Sequence, residues 1–203
     1  MTGVDASQVH VAMAAAFAAS RGLAGVEVIE ADARHTGLPS GSFDLIHART
    51  LLVTIPQAAD VVTEMARLAR PGGWVVAMEP DVEATLCYPP LAAFDRLSEI
   101  NAAALAGNGA DPLIGRRVPE PFRQAGLADV GLEARPQLYP PGISRRTNRL
   151  DVVRSMWPRI VQMGLATQAE LEEVDAIVRP HLEDPRTVMM SGLLFCVWGR
   201  KPA

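Results

Sequence analysis

The chain is short of several residues that carry function elsewhere. Cysteine occurs only at Cys87 and Cys196, without metal-type spacing, which argues against a disulfide scaffold or a zinc finger. Lysine occurs once, at Lys201, so 18 of the 19 basic residues are arginine. Against 23 acids the formal net charge is −4, which argues against a nucleic-acid partner. No apolar run reaches the roughly 18–20 residues that span a bilayer. Val9 to Ala19 is apolar, but Asp5 rather than a cation precedes it, so it reads as a buried-face helix and not as a signal peptide. What is present is ordinary for a globular protein: 203 residues, 49% apolar and 21% charged, enough to bury a core. There is no internal repeat or low-complexity tract. The preference for Arg with many Ala, Gly and Pro points to a GC-rich, bacterial genome, and cysteine usage points to a reducing cytoplasm.

The first half alternates strand-like and helical stretches. Thr2 to Asp5 reads as the end of a strand, Ser7 caps a helix that Gly22 stops, and Val26 to Glu30 alternates apolar and polar as a strand does. Phe43 to Ala48 and Trp74 to Met78 read as buried strands. Between them lies a helix with Val61, Val62, Met65 and Leu68 on one face, broken by Pro71-Gly72-Gly73. This order predicts an α/β fold with a parallel sheet and helices on both faces. Ligands of such sheets bind at the carboxyl ends of the strands, where Asp5, Asp32, His47-Ala48-Arg49 and Glu79-Pro80-Asp81 fall. In the second half, Pro90 to Leu105, Pro119 to Gln124, Asn148 to Met163 and Gln168 to Leu182 read as helices. Leu132 to Leu138 and the segment up to Arg200 read as strands. We expect one domain over 1–203, with a core at 1–81 and helical insertions at 82–118 and 140–186 that cover the ligand edge. Arg145-Arg146-Thr147-Asn148-Arg149 reads as a solvated loop, with attraction of an anionic substrate as the alternative.

Four segments in fixed order carry a resemblance: Thr2-Gly3-Val4-Asp5-Ala6-Ser7, Glu30-Ala31-Asp32-Ala33, Leu38-Pro39-Ser40-Gly41-Ser42-Phe43-Asp44-Leu45-Ile46, and Arg70-Pro71-Gly72-Gly73. With them the chain resembles the class I S-adenosylmethionine-dependent methyltransferases, most closely the small-molecule group that includes ubiquinone and menaquinone biosynthesis enzymes. The resemblance implies a Rossmann-like sheet, S-adenosyl-L-methionine as cofactor and a small-molecule methyl acceptor with an O, N or C nucleophile. It implies that Asp5, beside Ala6, accepts from the ribose hydroxyls. Asp32 would accept from the adenine amino group, with the Ala33 backbone near the ring. Ala48 and Arg49 would lie near the methionine part, where Arg49 is a candidate partner for the cofactor carboxylate. A carboxylate suits a vicinal diol because each of its oxygens accepts. His47 and Glu79 are candidate general bases; a satisfied interior histidine and a plain loop acid are the structural alternatives. No metal site is expected.

The family's glycine-rich GxGxG loop and the central strand before it have no counterpart here. A gene start assigned too far downstream, a fragment, and a degenerate relative that fills the gap by forming a homodimer are the three readings this leaves. Two other functions stand beside methyl transfer: a non-catalytic or truncated relative that binds a partner, and a nucleotide-dependent oxidoreductase. Asp32-Ala33 and the Pro-Ser-Gly-Ser-Phe-Asp turn count against the oxidoreductase.

Overall fold

The computed structural model describes residues 1–203. Seven strands and eight α-helices follow in the order β1 (Thr2–Asp5), α1 (Gln8–Ser20), β2 (Glu27–Glu30), β3 (Phe43–Arg49), α2 (Ala58–Leu68), β4 (Ala69–Asp81), β5 (Leu86–Tyr88), α3 (Ala92–Gly107), α4 (Ile114–Arg117), α5 (Pro119–Gln124), β6 (Ala128–Leu138), α6 (Asn148–Ser155), α7 (Trp157–Gln162), α8 (Gln168–Glu183) and β7 (Val188–Arg200). A central sheet is flanked by helices, as expected. No helix is long and apolar enough to cross a membrane.

The sheet is in two parts. β1 pairs with β2 in parallel, with Asp5 opposite Glu30. β3 pairs with β4 in parallel, β4 with β7 antiparallel, and β7 also carries β6 and β5. No ladder joins β1 to β3. The carbonyls of Met1 and Asp5 accept from the amides of Glu27 and Ala31 on the β2 side. By the period of two, the backbone groups of Thr2 and Val4 face the divide instead. Between the two parts runs an apolar groove of about 500 Å3, with Gly3 and Val4 on one side, Leu45 and Ile46 on the other, and Val61 and Met65 of α2 beneath.

The two parts are fastened through the loop after β2. Glu64 of α2 is buried and accepts from the Thr36 amide at 2.9 Å and the Thr36 hydroxyl at 2.6 Å. Arg67 donates to Glu64 and to the Leu38 carbonyl, and the Ser40 hydroxyl donates to the Arg67 carbonyl. Arg67 holds the Glu64 carboxyl down at about 2. Gly41, at φ 65°, makes the turn into β3 that an L side chain resists.

Alternation along β4 buries Val75, Ala77, Glu79 and Asp81 on one face, while Trp74, Val76 and Met78 remain partly exposed on the other. The buried face packs against α2, α4 and α5 in a cluster that includes Val61, Met65, Ile114, Val118 and Phe122. A second cluster, built from α3, α6, α7 and α8 around Phe94, Leu97, Ile160 and Leu171, forms a helical cap. The insertion at 82–118 is therefore divided: α3 packs in the cap, whereas Ile114 and Val118 belong to the sheet-facing core.

Two expectations are corrected. Pro71-Gly72-Gly73 does not stand outside the strand: β4 begins at Ala69 and runs through it, with a register shift against β3 between Phe43 and Leu45. Asn148 to Met163 is not one helix but two, separated at Met156. Pro158 lacks an N–H and cannot continue α6, but it fits the first turn of α7, where that donor has no intrahelical partner.

Candidate active site

Asp5 ends β1 and is half-buried. Its Oδ1 accepts from the Ser7 amide at 2.8 Å and lies 3.5 Å from His10 Nδ1, while Oδ2 has no partner in the chain. Ser7 in turn caps α1, so one local motif starts the helix and fixes the carboxylate. Asp32 stands two residues beyond the end of β2, on the same edge of the β1–β2 pair. Arg34 grips it from the Nε at 2.9 Å and the Arg34 amide at 2.8 Å, which holds the carboxyl down at about 2. Arg34 also donates to Gln57 at 2.7 Å, tying Asp32 to the start of α2. The Arg34 Nε and a terminal guanidinium nitrogen also reach the second oxygen, at 3.1 and 2.5 Å, so three N–H donors engage both oxygens and leave one acceptor direction for a further donor. Ala6 is exposed at the turn, and Ala33 lines the groove beside Gly3 and Val4.

β3 presents His47, Ala48 and Arg49. His47 is exposed, lines the groove and makes no side-chain bond. Ala48 is buried. Arg49 opens instead onto a second, polar cavity of about 250 Å3 under the cap, with Thr50, Pro80, Asn101, Gln137, Tyr139, Arg145 and Arg149 around it.

Glu79 is 0% exposed, and both its oxygens are engaged: Oε1 accepts from the amides of Leu51 and Leu52 at 2.9 and 3.0 Å, Oε2 from Val53 at 3.1 Å. Burial pushes its pKa up, and the three amides oppose the shift. Those amides belong to a short 3-10 turn at Leu52–Thr54 and to Leu51, which precedes it, a turn that no sequence signal announced. Asp81 pairs with Arg116 and accepts from the amides of Glu83 and Ala84. Gly115 permits this close approach, since a Cβ there would stand 2.7 Å from the Glu79 carbonyl oxygen.

The structure thus gathers Asp5, Asp32 and Ala33 at one edge, with His47 and Ala48 across the groove. Glu79 and Asp81 serve neighbouring backbone and Arg116. Asn101, Gln137 and Tyr139 went unnoticed in the sequence because they come from α3, β6 and the segment after β6, with no common motif. Only the arginines at 145–149 gave a sign.

Comparison with known proteins bears on this arrangement. Residues 1–77 match the family model described as a methyltransferase domain. A phosphatidylethanolamine N-methyltransferase of Cereibacter sphaeroides is 39% identical over 77 residues, 37% of this chain and 38% of that protein. The N-methyltransferase sirN of Leptosphaeria maculans is 30% identical over 177 residues, 80% of this chain and 60% of that protein. A crystal structure of a candidate methyltransferase from Bacillus halodurans C-125 superposes with a TM-score of 0.66 at 17% identity, covering 100% of this chain and 83% of the other. The fold is a methyltransferase fold. Phosphoethanolamine N-methyltransferase 2 of Haemonchus contortus, solved with phosphomonomethylethanolamine and S-adenosylhomocysteine, has a TM-score of 0.58 at 16% identity, covering 100% of this chain and 43% of the other. The matched part of this chain spans from 26% to 60% of the lengths of its curated relatives. The likeness to methyltransferases therefore holds along the fold, and by family model over residues 1–77.

Proposed function

We propose that the protein takes part in S-adenosylmethionine-dependent methyl transfer to a small molecule. The observation that carries this reading is the pair of carboxylates at the edge of β1–β2: Asp5 with a free oxygen, and Asp32 held ionised by Arg34. The residues fit the cofactor. Gly3 and Ala33, each close in sequence to one of the acids, line the apolar groove beside them. S-adenosylmethionine, when bound, supplies an activated methyl on a sulfonium for in-line displacement.

The chain supplies alignment and exclusion of water. Asp5 accepts from the ribose hydroxyls and Asp32 from the adenine amine; Ala33 and Ala48 set the walls, with Ala6 at the turn. His47 has no partner that would hold its ring away from a proton on the acceptor, and is the proposed base. Glu79 is a positioning residue in this reading: it holds the turn after β3 by three amides. Arg49 marks the boundary between cofactor and acceptor, whose pocket is the polar cavity under the cap. The proposed setting is the bacterial cytoplasm.

The divided sheet favours one second reading, a non-catalytic relative that binds a partner, including a second copy of itself. Calorimetric titration with S-adenosylhomocysteine separates the two. Methyl transfer predicts binding tighter than about 100 µM, roughly 5 kcal/mol. It also predicts that Asp5→Asn and Asp32→Asn each weaken binding about ten- to a hundredfold, from loss of a charge-assisted bond worth about 1.5–3 kcal/mol. No binding by the folded chain, with a mass above that of a monomer, would favour the partner reading.

A further inference from the structure

The polar cavity under the cap has an unbalanced charge. Eleven of the 18 arginines lie within 4.0 Å of a carboxylate. Arg49, Arg145 and Arg149 are among the seven that do not, and all three line this one cavity, whose wall contains no Asp or Glu. The arginine-rich stretch at 145–149 is thus not simply a solvated loop. Its members divide by role: Arg146 is buried and spends its guanidinium on four backbone carbonyls, of Tyr139, Leu182, Asp184 and Thr187. That arginine fastens the cap to the start of β7.

Arg149 differs. It is 8% exposed and meets the Val82 carbonyl at 3.2 Å, the Ser98 hydroxyl at 3.1 Å and the Ser191 carbonyl. These acceptors are neutral. They use three of its five N–H donors and leave the charge without a counterion. Burial lowers its pKa only to about 10, so it stays cationic at neutral pH. A buried cation without an anion is costly, and an anion entering the cavity removes that cost. Asn101 gives an independent sign: it is 6% exposed, lines the same cavity and makes no side-chain hydrogen bond within the chain. Its amide is accessible at the cavity wall and free to bond a polar ligand there.

We propose that the methyl acceptor carries an anionic group, phosphate or carboxylate, seated in this cavity by Arg145 and Arg149 with Asn101 as an added donor. Guanidinium suits both groups because its planar fork can donate two parallel bonds to either. The cavity begins at Thr50, just past the carboxyl end of β3, and at Pro80, in the last residues of β4, so an acceptor anchored here lies at the ligand edge of the sheet. The proposal rests on the methyl-transfer reading above.

The test uses the full chain at fixed ionic strength, with and without saturating S-adenosylhomocysteine. Methyl phosphate, acetate and neutral acetamide are titrated while the side-chain amide signals of Asn101 and Gln137 are followed by NMR. Both anions, or one of them, should shift these signals saturably, acetamide should not, and the tighter anion identifies the group. Arg145→Gln should weaken anion binding about tenfold, the loss of one charge-assisted contact, with S-adenosylhomocysteine affinity unchanged. Arg149→Lys, which keeps the buried charge but loses the fork, should weaken it as well. Absence of a saturable shift from either anion in the folded protein overturns the proposal while leaving cofactor binding intact. So does a variant Arg145→Gln that loses S-adenosylhomocysteine rather than the anion, since the arginines would then serve the cofactor's own carboxylate. If S-adenosylhomocysteine does not bind but the anions do, methyl transfer falls, and the assignment of the anion to an acceptor falls with it.

Discussion

The β1–α1–β2 unit and the β3–β4–β7 unit belong to one fold but are built to different standards. In α2 seven of eleven residues are buried, and one face of β4 is sealed against it. In α1 only Ala18 is buried; Val9, Met13 and Phe17 are 66, 65 and 59% exposed, and the helix is apolar nearly all round. β1 and β2 pair only with each other over four residues, whereas β4 is paired on both sides. Two strands with one covered edge are marginal on their own. The lesson is that the proposed cofactor carboxylates sit on the thinner unit and the proposed acceptor cavity on the thicker one. Ligand binding and folding should therefore be coupled at β1–β2 far more than under the cap.

The contrast can be broken by mutation. Phe122 is fully buried in the sheet-facing core, so Phe122→Ala should cost about 3–5 kcal/mol by urea denaturation, while Phe17→Ala should stay within about 0.5 kcal/mol. A large loss at Phe17 would mean that α1 is covered in solution.

A smaller effect is expected where the two units are tied. Glu64→Gln leaves a buried group without its ion pair and should cost about 1–3 kcal/mol at neutral pH. Because the folded Glu64 carboxyl titrates at about 2, below its ordinary value of 4.5, its contribution is complete above pH 4.5 and is lost as pH falls toward 2. The difference in urea midpoint between Glu64→Gln and the parent should close over that window. A difference independent of pH would place the tie elsewhere.

The smallest effect sharpens the comparison without mutation. Amides of β1 and β2 should exchange with solvent at least about tenfold faster than those of β4 and β7, and S-adenosylhomocysteine should slow the former selectively. Equal protection would remove the distinction between the units.

Much of this was legible in the sequence, for local reasons. Ser7 and Gly22 bracket α1, alternation marks β2, and helical spacing marks α2; each signal lies within a few residues of what it specifies. The positions of Asp5 and Asp32 at one edge followed from strand order alone. The role of Glu79 was not legible, because its partners are the amides of Leu51 and of the 3-10 turn after it, some 26 to 28 residues earlier in the chain. The polar cavity was equally hidden, since Arg49, Asn101, Gln137 and Arg149 converge only when the cap closes over the ends of β3 and β4. The split between α6 and α7 was readable from Pro158 and was overridden by a continuous helical pattern of apolar residues around it.

The central claim is that Asp5 and Asp32 grip the two ends of one nucleoside. A crystal structure of the chain with S-adenosylhomocysteine tests it most directly. The account predicts both ribose hydroxyls within hydrogen-bond distance of Asp5, and the adenine amino group within that distance of Asp32. A ligand seated wholly in the polar cavity under the cap, with neither carboxylate in contact, would contradict it.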